Sequence, residues 1–362
     1  MTPTIRWGII GAGKISAKFT EDICRKRPQT APVNHRIAAI GCSSSEKGRV
    51  FVSEHVSGPS TDTTVASLTY SEVYASSDVD AVYIGLPHVF HKQHSLEAIA
   101  QGKHVLCEKP CFMNLNELEE VLRAAQTKGV YFMEAVWVRF FPVMQEVTTH
   151  LHDLRTIGDL KRCVVNYSPN IEVDALPLTD RLIDRKLGGG AIMDIGVYTI
   201  HHYRMLMDPR SRIQSMKDLD IESSQSLVNG VDYMTSILVS PKDRTSQGIL
   251  TCSFYSFGTG PFAMVEGTLG KLEILTEQGM PAPLGYTITF RDGRDPISKS
   301  WPVSQDGGRG AFGFFYEADA FALDIAAGKL QNDTVSWNES RIVLGIVDAV
   351  RRASGMTYEQ DF

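Results

Sequence analysis

The sequence predicts an α/β domain on a parallel sheet, followed by an α+β domain with a large, mainly antiparallel open sheet. Three observations carry this. Short apolar strand-like runs alternate with helical runs over the first third of the chain. A Gly-x-Gly turn lies at the first strand–helix junction. From Val228 to Thr289, strand signals follow one another with only short turns between them.

Each element follows from its residues. Ile5-Arg-Trp-Gly-Ile-Ile10 is an apolar run of strand length, and Lys14 to Arg25 then takes helical spacing. The strand signal returns at Arg36 to Gly41, Val79 to Leu86, His104 to Cys107 and Val130 to Met133. Helices are expected over Gln93 to Gln101 and Asn116 to Lys128. Apolar strands separated by helices are the pattern of a parallel sheet buried on both faces. The pattern changes after Trp137. A helix is expected over Pro142 to Leu154, a strand over Lys161 to Tyr167, and a helix over Ala191 to Met207, opened by Gly188-Gly-Gly190. Strands are expected at Tyr233 to Val239, Gly248 to Tyr255, Phe262 to Thr268, Lys271 to Leu275 and Tyr286 to Phe290. Thr268-Leu-Gly-Lys271 reads as a hairpin turn. Helices near Phe315 to Ala327 and Asn338 to Ser354 close the chain.

With 362 residues the chain is long for one core, so two domains are expected, 1–136 and 137–362, with the last helix packing back on the first. A composition of 43% hydrophobic and 22% charged residues is that of a globular protein. The net charge of -6, without a Lys/Arg cluster, argues against nucleic acid as a partner. The apolar run from Trp7 to Ala12 is too short to cross a bilayer or serve as a leader, so no membrane partner is expected. The six cysteines show no zinc-type spacing; they read as reduced thiols of a cytoplasmic protein, and no metal site is expected.

Gly11-Ala-Gly-Lys-Ile-Ser16 matches G-x-G-x-x-G with serine in the last slot. Gly11 permits a tight turn, and Gly13 lets a pyrophosphate approach the backbone at the start of a helix. Lys14 and Ile15 continue the loop, and the context is that of a Rossmann dinucleotide domain. An acidic residue closing the second strand would select NAD through its ribose. The sequence there is Gly41-Cys-Ser-Ser-Ser45, with Lys47 and Arg49 following. Ser43, Ser44 and Lys47 suit a 2′-phosphate, which favours NADP(H) over NAD. Glu46 supports the opposite reading if it stands near the ribose.

Glu108-Lys109-Pro110 follows the strand that begins at His104, where a doubly wound sheet opens its ligand crevice. A lysine there can stabilise an alkoxide or lower the pKa of a nearby acid. Taken with the glycine loop, Leu86-Pro87-His88 with His91, and Met133-Glu-Ala-Val-Trp137-Val-Arg139, the sequence resembles the glucose–fructose oxidoreductase / inositol dehydrogenase (Gfo/Idh/MocA) family. Gly189-Gly190-Ala-Ile-Met-Asp194-Ile-Gly196-Val-Tyr198 looks like the branch holding dimeric dihydrodiol dehydrogenases and fungal NADP-dependent D-xylose dehydrogenases. The resemblance spans nearly the whole chain and is strongest before residue 205.

The resemblance implies roles. Lys109 would stand beside the reacting carbon, Glu108 would hold a cofactor ribose, and Leu86, Pro87, His88 and His91 would lie on the cofactor. Trp137 and Arg139 would reach the substrate. Relatives carry Asp-x-Gly-x-His-x-x-Asp on the later helix; here Tyr198 replaces the histidine and His201 the second aspartate. Tyr198 becomes the acid/base candidate, with Asp194 orienting it or binding substrate. Asp194, Tyr198 and His201 are spaced to share one helix face. The expected activity is NADP-dependent hydride transfer on a CH–OH or C=O group of a small sugar, polyol, diol or ketone. A homodimer through the second sheet is expected. The alternative is a cofactor-binding regulator without catalysis, which has no need for both Lys109 and Tyr198.

Overall fold

The computed structural model describes residues 2–56, 65–210, 212–258, 260–277, 280–304 and 310–362. They fall into two compact units. The first comprises Met1–Phe112, Asn116–Phe140 and Val303–Trp337; the second comprises Met113–Leu115, Phe141–Pro302 and Asn338–Phe362.

The first unit holds a wholly parallel sheet of β1 (Thr4–Ile10), β2 (Asn34–Gly41), β3 (Ala66–Leu68), β4 (Ala81–Ile84), β5 (His104–Glu108) and β6 (Phe132–Ala135). Their order is 3-2-1-4-5-6. The helices between the strands are α1 (Lys14–Cys24), α2 (Ser45–His55), α3 (Tyr70–Ala75), α4 (His91–Ala100) and α5 (Leu115–Lys128). Every residue of β4 and β6 is buried, as cover on both sheet faces requires. The strand order reverses between β1 and β4, and a doubly wound sheet binds its ligand at that switch point.

The second unit is built on β7 (Leu160–Tyr167), β8 (Leu219–Val228), β9 (Val231–Pro241), β10 (Gln247–Ser253), β11 (Ala263–Gly267), β12 (Gly270–Thr276), β13 (Pro283–Phe290) and β14 (Ile297–Ser300). The order is 14-13-12-11-7-10-9-8, antiparallel throughout except for the parallel pair β7–β10. Helices α6 (Pro142–Thr148) and α7 (Val197–Met207) belong to this unit. The expected hairpin is present, with Thr268 and Leu269 joining β11 to β12.

Two expectations need correction. The helix that joins the first unit is α8 (Phe314–Ala326), whereas the last helix, α9 (Trp337–Ala353), lies in the second from Asn338 onward. The first unit therefore is not the continuous stretch 1–136. The ties of α8 explain this: Arg27 grips Asp319 through two 2.7 Å bonds, His35 Nε2 lies 2.9 Å from Asp319, and Trp7 donates to His35 at 3.1 Å. Tyr131 donates to Asp324 at 2.8 Å. The second correction concerns helix form. The expected helix from Pro142 is α-helical only to Thr148 and continues as a π-type stretch, Thr149–Asp153. The helix expected from Ala191 likewise starts with a π-type stretch, Ile192–Gly196, before α7.

Candidate functional site

In the first unit the expected residues follow the carboxyl ends of five strands. Gly11 to Ile15 follow β1, Ser43 to Lys47 follow β2, Leu86 to His91 follow β4, Glu108 and Lys109 end β5, and Trp137 and Arg139 follow β6. Because the sheet is parallel, all five ends lie along one edge.

At the switch point Gly11 has φ +99°, and its N–H donates to Gly41 at 2.9 Å. A Cβ on Gly11 would lie 2.8 Å from the Leu86 side chain and 3.1 Å from the Gly85 carbonyl. Only glycine fits this turn. Gly13 caps α1 in an extended conformation, and no side chain among the described residues caps that end. The first amides of α1 are therefore available to an anion, and no acidic residue sits in its first turn. This cradle fits a dinucleotide pyrophosphate. Lys14 is exposed beside it and Ile15 is half-buried. Ser16, in the third glycine slot, is fully buried and lies where a Cβ on Gly85 would come within 2.3 Å of its Oγ.

The serine-rich turn is a helix start. Ser44 caps α2, accepting from the Lys47 N–H at 3.3 Å, and Ser43, Ser44, Ser45 and Lys47 are all exposed. Glu46, exposed in the same turn, is 3.7 Å from Arg49.

Glu108 is buried at the end of β5, where it accepts the Tyr83 hydroxyl at 2.6 Å and the Lys109 N–H at 3.2 Å. Lys109 itself is half-buried, followed by a cis bond to Pro110. His91 is held by backbone carbonyls of two loops. Its ring is fully enclosed, with Nε2 2.8 Å from the Leu86 carbonyl and Nδ1 3.1 and 3.2 Å from the carbonyls of Pro110 and Cys111. It ties the two loops together, and burial lowers its pKa, which keeps the imidazole neutral. His88 is buried at 5.8 Å from it, ring to ring. Trp137 and Arg139 are buried as well. The Trp137 ring stacks on Phe314 of α8 at 4.6 Å.

In the second unit Asp194 lies in the π-type stretch and pairs with Arg181 at 2.8 Å. Tyr198 lies in the first turn of α7 and meets Tyr167 of β7 edge-on at 5.9 Å. Burial, with the Asp194 charge adding to it, raises the Tyr167 pKa above the ordinary phenol value. Asp194 stands in the π-type stretch and Tyr198 and His201 in α7, and His201 is fully buried. His202 is buried too, its Nδ1 2.8 Å from the Tyr198 carbonyl. Sequence reasoning missed Arg181, Tyr167 and Tyr83. Nothing in the local pattern marks them, because each is a partner from a distant segment. A cavity of about 340 Å³ lined by Tyr203, Met207, Asp208 and Lys242 holds none of the expected residues; it lies toward the far end of α7 from Tyr198.

Among the described residues no group of three or more His, Cys, Asp or Glu side chains is placed to hold a metal ion, and no helix is long and apolar enough to cross a membrane.

A 3-2-1-4-5-6 parallel sheet with an open glycine cradle at its switch point, joined in one chain to a broad antiparallel sheet, defines the class: a two-domain protein with a Rossmann dinucleotide-binding unit. Residues 5–136 match the oxidoreductase family with NAD-binding Rossmann fold, and residues 149–273 match the GFO/IDH/MocA C-terminal domain. The chain belongs to this family of oxidoreductases. It is 29% identical to D-xylose 1-dehydrogenase (NADP(+)) of Hypocrea jecorina, over 99% of this chain and 94% of that protein. It is also 29% identical to human trans-1,2-dihydrobenzene-1,2-diol dehydrogenase, over 99% of both chains. Among solved structures, a 3-ketoreductase from Actinomadura kijaniata in complex with NADP and TDP-benzene superposes with a TM-score of 0.77 at 22% identity, covering 96% of this chain and 97% of that one. A levoglucosan dehydrogenase in complex with NADH and levoglucosan gives 0.77 at 19% identity, covering 97% of each chain.

Proposed function

We propose that the protein is an NADP(H)-dependent dehydrogenase or reductase acting on a CH–OH or C=O group of a small sugar, polyol, diol or ketone. The observation that carries this is the line of cradle, Glu108 and Lys109 along one sheet edge, in a chain whose relatives include an NADP-dependent D-xylose dehydrogenase and dihydrodiol dehydrogenases.

Gly11, Gly13, Lys14 and Ile15 hold the pyrophosphate, and Glu108, fixed by Tyr83, takes a ribose hydroxyl. Ser43, Ser44 and Lys47 receive the 2′-phosphate at the start of α2, which supports NADP(H) over NAD. Leu86, Pro87 and His88 border the same cradle, and His91 holds their loop against Pro110. The bound nicotinamide supplies or accepts hydride. Lys109 stabilises negative charge on the substrate oxygen with its ammonium. Tyr198 takes the proton from that oxygen in oxidation and returns it in reduction. Asp194 fixes the polar surroundings of Tyr198 through its ion pair with Arg181, and Arg139 contributes a buried positive charge to the substrate end.

The second sheet supports a homodimer. Leu238, Ile249, Val164 and Met264 form one cross-strand row on its outward face, with Leu238 41% exposed. Glu222 and Glu273 flank the row at its two ends. An apolar centre with polar ends suits a partner surface. A molar mass by light scattering that halves on Leu238→Arg would support this; a monomeric parent protein would exclude it. The six free, buried cysteines support a reducing compartment, the cytoplasm.

The test is a panel of aldoses, trans-dihydrodiols and dicarbonyls, read by absorbance of the reduced nicotinamide, with NADPH and NADH titrated by fluorescence. Binding of NADH without NADPH would reverse the cofactor assignment. Cofactor binding with no turnover on any substrate would favour the regulator.

A further inference from the structure

The π-type stretch Ile192–Gly196 carries Asp194 and leads directly into Tyr198. Its start is held by one buried carboxylate. Asp232 of β9 is fully buried; its Oδ2 accepts the Ile192 N–H at 2.9 Å and the Thr235 hydroxyl at 2.5 Å. Its Oδ1 has no hydrogen-bond partner among the described residues. That oxygen faces Gly190, where φ is +126° and a Cβ would lie 2.6 Å away. Gly190 therefore supplies both a left-handed turn and room for the carboxylate.

The geometry has a physical logic. Amides at a helix start have no partner within the helix and need an acceptor from elsewhere. Asp232 is that acceptor for Ile192. Thr235, itself a 2.8 Å acceptor for Gln225, keeps the carboxylate oriented. At the same corner Tyr358 donates to the Gly189 carbonyl at 2.5 Å. At the far end of the stretch a Cβ on Gly196 would meet Cys252 of β10 at 2.8 Å, so the element lies directly against the sheet. Burial raises the Asp232 carboxyl to about 6, opposed by the bonds from Thr235 and Ile192. A carboxylate so enclosed is costly unless its hydrogen bonds are used. Here they are used to fix one element to the sheet.

We propose that Asp232 is a positioning residue for Tyr198, clamping the start of the π-type stretch so that the phenol is held where it serves the proton transfer. The proposal rests on the acid/base role of Tyr198 given above. It acts through that residue and touches neither cofactor nor substrate.

The test uses the full chain with NADP+ and D-xylose or trans-dihydrobenzenediol, whichever is oxidised. Asp232→Ala should lower kcat by about tenfold or more, with the NADPH Kd nearly unchanged, and should speed amide exchange across Ile192 to Gly196. Asp232→Asn keeps an oxygen for the Ile192 N–H and should recover most of both losses. In a Tyr198→Phe background, Asp232→Ala should cost little further turnover. An equal loss in that background, or faster exchange with unchanged kcat, overturns the proposal. If Asp232→Ala does not fold, Thr235→Val removes one donor to the carboxylate and should lower kcat more weakly; an unchanged kcat would count against the clamp. Wild-type turnover by Tyr198→Phe alone would remove the acid/base reading. In that case the exchange data still report whether the clamp exists.

Discussion

Ser16 and Gly85 face each other across the switch point, the serine on α1 and the glycine just after β4, so closely that a Cβ on Gly85 would stand 2.3 Å from Ser16 Oγ. The third slot of the glycine motif normally gives close helix–strand packing by having no side chain. Here the small residue is on the other side of the contact. Gly85→Ala should destabilise the protein by about 1–3 kcal/mol, the usual cost of overpacking, and weaken dinucleotide binding. Ser16→Gly should be tolerated, and the double variant should regain most of the loss. Thermal melts and NADPH titration of the three variants check this. A double variant no better than Gly85→Ala would sink the compensation.

Lys109→Met and Tyr198→Phe should each cut turnover by about 10² or more, the scale of lost acid/base or electrostatic assistance. Cofactor affinity should hold in both, since neither supplies the pyrophosphate cradle. Steady-state kinetics beside NADPH titration separates the effects. Retained turnover in either variant removes that residue from the mechanism.

Asp232 makes stability depend on pH. Its carboxyl is raised from an ordinary value of 3.8 to about 6 by burial. Between those values the folded state binds more protons than the unfolded one, so stability falls as pH rises through this window. The full change is on the order of 2–3 kcal/mol at about 1.4 kcal/mol per pKa unit. Asp232→Asn should flatten the slope of denaturation free energy between pH 4 and 6. An unchanged slope in the variant would assign the dependence to other groups.

Glu317 on α8 is fully buried, and neither carboxyl oxygen has a hydrogen-bond partner among the described residues. Burial, with the Glu108 charge adding to it, raises its pKa well above the ordinary carboxylate value and so favours the protonated form. An unsatisfied buried polar group costs about 1–3 kcal/mol. Glu317→Leu should therefore leave the melting temperature unchanged or raise it. A large drop would show that the carboxyl has a partner in solution.

Much of this was legible in the sequence because it rests on local pattern. The strands at Ile5, Arg36 and His104 are apolar runs, and the glycine loop has its meaning from position alone. The region of α2, β3 and α3 gave no clear signal, since its residues are mostly polar and its strand is three residues long. Strands β8 and β14 escaped for a related reason. They are the two edges of the second sheet, and much of their length is exposed, so little apolar alternation is demanded of them. The π-type stretch before Tyr198 adds one residue to a turn, a change that hydrophobic periodicity cannot register. The ion pair of Asp194 with Arg181 and the bond from Tyr83 to Glu108 join residues distant in sequence. So the candidate reactive groups, Lys109 and Tyr198, stand in motifs that sequence can show, while the contacts around them do not.

The placement of α8 in the first unit bears on the order in which the protein is made. Synthesis delivers β1 to β6 early, but Asp319, Phe321 and Asp324 arrive only after the whole second sheet. Until then Trp7 and Tyr131 lack their α8 partners. A nascent chain thus completes its second sheet while its first is still partly bare, and gene fragments ending near residue 136 should be prone to chaperone capture and aggregation.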